Sequence, residues 1–160
     1  MRTTNEYVAI YKAQLQKGDI QIAYERLVKY VMALKTHFSS ELSDQYSFGN
    51  VSPGYMDYTY FPFFNDFLRG KKLRFGIVLN HQQMRFELWL MGQNAEVQKK
   101  YWDLLKSTER NKGRDAMPRY SVLEAVLVEA PDFDDLDALS VSIEKLAVRI
   151  AEEVMKHIPK

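Results

Sequence analysis

Two short runs of the chain place charged and aromatic side chains at every second residue. Leu73, Phe75, Ile77 and Leu79 alternate with Arg74, Gly76, Val78 and Asn80. Met84, Phe86, Leu88 and Leu90 alternate with Arg85, Glu87, Trp89 and Met91. Alternation with period two puts one set on each face of a strand. If His81 and Gln82 form the turn, or a loop spans residues 80–83, Leu79 faces Met84, Ile77 faces Phe86, Phe75 faces Leu88 and Leu73 faces Leu90. The other face then sets Arg74 opposite Trp89, Gly76 opposite Glu87 and Val78 opposite Arg85. Two arginines, a carboxylate and an indole on one face suit a small polar or anionic ligand, with Gly76 leaving a gap for its approach. The competing reading is a ladder of cross-strand ion pairs with Arg74 stacked on Trp89.

Neighbouring residues extend this candidate site. If Tyr58 and Tyr60 point into the core, Tyr55, Asp57 and Thr59 join the polar face. Asp57 and Glu87 are then the carboxylate pair to consider for acid–base or metal chemistry. A restriction-endonuclease-like nuclease would place Lys two residues after the strand Glu, where this chain has Trp89. Paired carboxylates alone do not specify metal chemistry, and no metal site or cofactor is assigned. His81, in the turn, could act as a general base beside the same face, or simply be a solvated turn residue. His37 and His157 lie far from it in sequence and neither belongs to an HExxH pattern.

Other charged clusters read more plainly. Asp132, Asp134, Asp135 and Asp137 lack the glycine and glutamate spacing of a calcium loop and fit the start of a helix. Lys106, Arg110, Lys112, Arg114 and Arg119 make a basic connecting loop, read as solvated. There is no Gly-rich phosphate loop, dinucleotide fingerprint or serine elbow.

The elements that must position these residues follow from spacing. Thr3 and Glu6 form a capping box for a first helix over residues 4–16, which Gly18 ends; Asp19 can cap a second. That helix buries Ile20, Tyr24, Leu27, Val31, Leu34 and Phe38, with Ala23, Val28 and Met32 beside them. Residues 46–51 are a short strand, and 55–61 an aromatic strand that Pro62 ends. A helical turn over 63–69 precedes the hairpin. Asn94 caps a helix over 95–106 whose buried stripe is Val97, Tyr101, Leu104 and Leu105. Ser121 and Glu124 repeat the capping-box spacing, favouring a short helix before Pro131, with a strand at 125–128 as the alternative. A final helix over 135–157 buries Leu136, Leu139, Ile143, Leu146, Ile150 and Val154. The expected fold is α+β: an antiparallel meander of three or four strands in mid-chain, packed with N- and C-terminal helices in one domain, 1–160.

Composition bounds the function. The 160 residues are 46% hydrophobic and 27% charged, as in ordinary globular proteins, with a net charge of +1. That charge gives no electrostatic case for nucleic acid. The absence of cysteine excludes thiol chemistry and Cys-based metal sites. With neither a signal-like nor a membrane-length apolar run, the expectation is a cytoplasmic protein off the membrane.

The segments GYMDYTYF (54–61), KKLRFGIVLNHQQMRFELWLMGQN (71–94), VQKKYW (97–102) and VLVEAPDFDDLDAL (126–139) resemble a small family of bacterial proteins known only as a domain of unknown function. The resemblance runs from about Tyr7 to the last helix. It implies no reaction, cofactor or partner, and it transfers no catalytic residue. The residues therefore carry three readings. The first is a non-enzymatic domain that binds a small-molecule or protein partner through Arg74, Arg85, Glu87, Trp89, Asp57, Tyr55 and His81. The second is an enzyme on a small or phosphorylated substrate, with Glu87 or Asp57 as acid or base. The third is a homodimer joined through the aromatic segment 55–67.

Overall fold

The first helix, α1 (Thr4–Lys17), is opened by the expected capping box, with Thr3 and Glu6 exchanging side-chain and backbone hydrogen bonds. The computed structural model describes all residues, Met1–Lys160. Gly18, at φ 87°, ends α1 and also precedes α2 (Asp19–Leu42) directly. Asp19 is therefore the first helical residue and not a cap. A left-handed glycine turns the chain here without the Cβ penalty.

From α2 the chain enters a meander. The elements are β1 (Ser47–Phe48), β2 (Tyr58–Phe64), the short helix α3 (Asp66–Gly70), β3 (Leu73–Asn80) and β4 (Arg85–Gly92). Next come α4 (Ala95–Leu105), β5 (Leu123–Val128) and α5 (Leu136–Lys156). The five strands lie in the order β1-β2-β3-β4-β5, each antiparallel to its neighbour. The α+β class and mid-chain meander are as expected, with one more strand than the upper count.

That strand is β5, where the capping-box spacing favoured a helix. Ser121 does donate to Glu124, at 2.8 Å, but as a lead-in to extended backbone. Leu123, Ala125 and Leu127 are buried in alternation with Glu124, Val126 and Val128. The open edge of β4 supplies ladder partners for that period-two pattern, so tertiary pairing overrides the local signal. Pro62 likewise sits inside β2 instead of ending it. Its carbonyl accepts from Gly49 N at 2.9 Å. The ring nitrogen thus faces the two-residue edge strand, where a missing donor matters least. Gly49 permits this approach, since a Cβ there would lie 2.5 Å from the proline ring.

The hairpin register differs from the expected one by two residues. Leu79 pairs with Phe86, Ile77 with Leu88 and Phe75 with Leu90. The turn is residues 81–84, with Met84 at φ 49°. A shift of two preserves the faces, because side chains repeat every second residue. Opposite positions on the second face become Arg74 with Met91, Gly76 with Trp89, Val78 with Glu87 and Asn80 with Arg85.

The first face of the sheet is the core. Phe61, Phe63, Phe75, Ile77, Leu79, Phe86, Leu88 and Leu90 join one 29-residue cluster with Val31, Leu34 and Phe38 of α2, Tyr101 and Leu105 of α4, and Ile143, Ile150 and Val154 of α5. Phe63 stacks on Phe75 at 5.4 Å, and Phe38 meets Phe61 edge-on at 5.5 Å. Ile20, Met32, Leu104 and Leu136, expected in buried stripes, are instead exposed at helix ends or margins. Phe61 and Phe63, within the aromatic segment weighed as an interface, belong to the chain's own core. No residue of α1 is buried.

Phe38→Ala should therefore lower unfolding stability by about 3–5 kcal/mol, the usual cost of emptying a buried phenylalanine site. Tyr7→Ala on α1 should change it by no more than about 0.5 kcal/mol. Denaturant titration followed by circular dichroism compares the two, and equal losses would contradict this division of the fold.

Candidate functional site

The second face of the sheet has no helix from the main core packed on it. Val78, Trp89 and Met91 form a small buried cluster of their own, bordered by Tyr58 and Tyr60. Tyr58 and Tyr60 therefore lie on this face, while Thr59 between them is fully buried on the helix side. The β2 phase is the reverse of the expected one. The phenol is the physical reason: a tyrosine tolerates a wet rim better than Phe61 or Phe63 would.

Glu87 is the central polar residue here. It is 2% exposed. Trp89 Nε1 donates to its Oε1 at 2.8 Å, Arg85 Nε donates to its Oε2 at 2.8 Å, and Asn80 Nδ2 donates to the same oxygen at 3.0 Å. A buried carboxylate requires such compensation, because its desolvation is costly. Arg85 continues outward to Glu129 at 3.2 Å. The Glu87 hydrogen bond, followed by the Glu129 contact, raises the Arg85 pKa further and keeps it charged. Asn80 also accepts from Gln83 N at 3.1 Å, tying the carboxylate to the hairpin turn.

Arg74 is placed differently. It is exposed and has no carboxylate within ion-pair distance. It does not stack on Trp89, whose ring meets Tyr58 edge-on at 4.9 Å. The gap expected over Gly76 is filled, since a Cβ there would lie 2.6 Å from the Met91 methyl.

Together these residues bound a groove of about 380 Å³, lined by Ser52, Gly54, Asp57, Tyr58, Tyr60, Arg74, Trp89, Met91, Gly92 and Tyr120. Tyr120 stands 6.2 Å from Tyr58. Asp57 enters from the tight turn before β2. Its carboxylate accepts from Tyr55 N at 2.9 Å and Tyr58 N at 2.7 Å, and these bonds hold its pKa below the ordinary value. Gly54, at φ 72°, is needed there: a Cβ would lie 2.2 Å from the Tyr58 carbonyl. Burial raises the Tyr58 pKa, and the charges of Glu124, Glu87 and Asp57 raise it further. The groove thus has an acidic side near Tyr58 and a basic end at Arg74.

Of the sequence candidates, Asp57, Arg74 and Trp89 line the groove, with Glu87 and Arg85 framing it. Tyr55 is 95% exposed and outside it. His81 faces the opposite side of the sheet, 5.9 Å from the Tyr24 ring of α2. Its Nε2 lies 2.7 Å from Thr59 Oγ1, which itself donates to the Pro53 carbonyl at 2.7 Å. The single hydroxyl hydrogen is committed, so a neutral His81 donates through Nε2. Burial lowers its pKa from the ordinary value. No cluster of three or more His, Asp or Glu side chains could hold a metal ion. Tyr58, Tyr60, Met91 and Tyr120 are the large lining side chains that sequence reasoning missed, beside the small Ser52, Gly54 and Gly92. Strand phase would have found the first two; Tyr120 comes from a loop without periodic signal.

A larger cleft, about 680 Å³, separates α2 from the start of α5 and is lined mainly by Leu27, Tyr30, Met84, Phe133 and Leu136. It is mostly apolar, and Lys29 at its rim is paired with Glu25. No helix is long and apolar enough to cross a membrane.

A protein-family profile described as "domain of unknown function (DUF7000)" matches residues 4–158. The chain belongs to this family. It covers nearly the whole sequence, in keeping with the resemblance drawn from the sequence blocks. Searches of curated proteins and of solved structures gave no significant match.

Glu87→Gln should lower stability by about 1–3 kcal/mol, because the charged partner of Arg85 is lost and one buried donor is left facing an amide NH₂. Denaturant unfolding monitored by near-UV circular dichroism measures this, and a change below about 0.5 kcal/mol would contradict a framing role. A second expectation concerns pH. The folded state binds the His81 proton less readily than the unfolded state does. The corresponding stability is complete above the ordinary imidazole value of 6.5 and falls as pH drops through and below it. Between about pH 8 and about pH 5 the wild type should lose more stability than His81→Gln, and parallel profiles would refute the assignment.

Proposed function

We propose that this domain binds a small anionic ligand in the groove on the second sheet face. Arg74 is the charge contact, and Tyr58, Trp89 and Tyr120 are the apolar walls. The observation that carries this reading is that Arg74 stands at the edge of an aromatic groove with no carboxylate partner. A guanidinium there meets an anion without first breaking an ion pair. The volume of about 380 Å³ is within the range of small-molecule sites.

Glu87, Arg85 and Asn80 act in this proposal as the frame that holds Trp89 in place. An acid–base role for Glu87 fits less well, since both of its oxygens are engaged by donors. Asp57 contributes an acceptor on the opposite side from Arg74, suited to a donor group on the ligand. Tyr55 and His81 do not take part in the proposed site.

A thermal-shift screen against a panel of small metabolites tests the proposal, because a ligand bound only by the folded state raises the melting temperature. Hits should be enriched in anions. Arg74→Gln should keep the melting temperature of the free protein and weaken the hits by about 10- to 100-fold, as expected for a charge-assisted hydrogen bond. Hits that bind Arg74→Gln as tightly as wild type would overturn the proposal.

A further inference from the structure

Arg74 borders a second cleft as well. This one measures about 300 Å³ and is lined by Phe64, Arg69, Lys72, Leu73, Arg74, Gly92 and Gln93. Three cations and no carboxylate line it. None of the three is within ion-pair distance of an acid anywhere in the chain. In a protein of net charge +1, with 22 basic and 21 acidic residues, three unpaired cations around one cleft are a local concentration.

One of the cations and the backbone that carries the others are held in place. The Arg69 guanidinium lies over the Phe64 ring, 4.7 Å from its centroid. Lys72 has a left-handed backbone at φ 59°. Its N–H donates to the Arg69 carbonyl and its carbonyl accepts from Gln93 N, both at 3.0 Å. Holding a residue with a Cβ in this conformation costs free energy, so the surrounding bonds fix how the segment enters β3. Arg74 and Gly92 line both clefts, so the basic cleft and the aromatic groove adjoin at these two residues.

We infer that the two clefts form one composite site for a phosphate ester of a planar ring, with the phosphate among Arg69, Lys72 and Arg74 and the ring against Tyr58, Trp89 and Tyr120. A carboxylate carries one charge and would leave two of the cations uncompensated. A phosphate monoester or diphosphate carries about two or more charges and offers tetrahedral oxygens to several donors at once. The aromatic walls supply stacking and edge contacts for a flat ring, and Asp57 lies within the same groove to accept from a ring amine. This inference rests on the groove reading above, and the test separates the two.

Isothermal titration of the full chain with ADP and flavin mononucleotide, against adenosine, riboflavin and inorganic pyrophosphate, decides it. At least one phosphorylated compound should bind about tenfold or more tightly than both its unphosphorylated parent and pyrophosphate. Arg69→Gln combined with Lys72→Asn should cut the ester's affinity by about tenfold or more, leaving only the advantage that Arg74 supplies, and leave the parent's affinity unchanged. Asparagine is chosen because it tolerates the left-handed backbone, and an unchanged melting temperature shows that the variant is folded. Equal binding of ester and parent overturns the phosphate cleft and the anionic groove reading together, whereas an ester advantage that the double variant keeps in full overturns the phosphate cleft and leaves the groove reading standing. Equal binding of ester and pyrophosphate overturns the composite site and the groove reading together. Binding by neither ester overturns the inference. Single-stranded oligothymidylate is the polymer control: tighter binding than ADP, with steep salt dependence, overturns a free small-molecule ligand.

Discussion

The pairing of β3 with β4 decides what each face of the sheet can be. Eight residues of β3 face eight of β4 in unbroken register, from Leu73 with Gly92 to Asn80 with Arg85. Because side chains alternate, that one alignment sends Phe75, Ile77, Leu79, Phe86, Leu88 and Leu90 to one side and Arg74, Val78, Glu87, Trp89 and Met91 to the other. The first set is wholly apolar, so the long helices α2 and α5 have one surface worth covering, and they cover it. The second set is mixed, and loops border it. A one-residue slip would exchange the two faces, placing Glu87 beneath the helices and the phenylalanines in water. The hydrophobic penalty of that exchange is what holds the register.

A buried carboxylate is an odd residue to keep on the second face. Glu87 is nearly inaccessible, and a well-packed apolar side chain there could be as stable or more so. Its three donors come from three separate places: Asn80 at the end of β3, Arg85 at the start of β4, and Trp89 two residues further along. One carboxylate thus orients the indole, joins both strands at the turn, and keeps Arg85 pointing along the sheet towards Glu129. The two arginines of the face end in opposite conditions for a simple reason of distance. Arg85 lies beside the carboxylate and is consumed by it; Arg74, opposite Met91, is too far along β3 to share it.

Much of this was legible in residue spacing. The α+β class, the capping of α1 and α4, the two faces of the hairpin and the presence of Glu87, Arg85 and Trp89 together all follow from periodicity. What was not legible depended on contacts between distant residues. A turn centred on His81 and Gln82 sits one residue early, which shifts the register by two, leaves the faces intact and misassigns every cross-strand partner. The position of His81 is sensitive to such detail, because the residue after Asn80 must turn to the opposite face, towards Thr59 and Tyr24. β5 carries a helix-like cap at Ser121 and Glu124, and only the open edge of β4 shows that it must be extended. The phase of β2 is ambiguous in a run of tyrosines and phenylalanines, and one wrong phase hid Tyr58 and Tyr60. Tyr120 arrives from a loop, where no period exists to be read.

The near-neutral net charge is the most instructive of these signals. It argues against a broad basic surface, but an average over the chain says nothing about local pairing. Glu129 and Glu87 neutralise Arg85, Glu153 pairs with Arg110, and Glu124 pairs with Arg114. These acids take up the cation of β4 and two of those in the loop after α4, and none pairs with the cations at the entry to β3. Arg69, Lys72 and Arg74 are brought together there by α3 and by the left-handed backbone of Lys72, over a span of six residues. At the other side of the groove, Asp57 supplies the opposite sign. A field across a groove depends on which charges remain unpaired and where the backbone puts them, so the asymmetry of this face arises from the fold while the totals stay balanced.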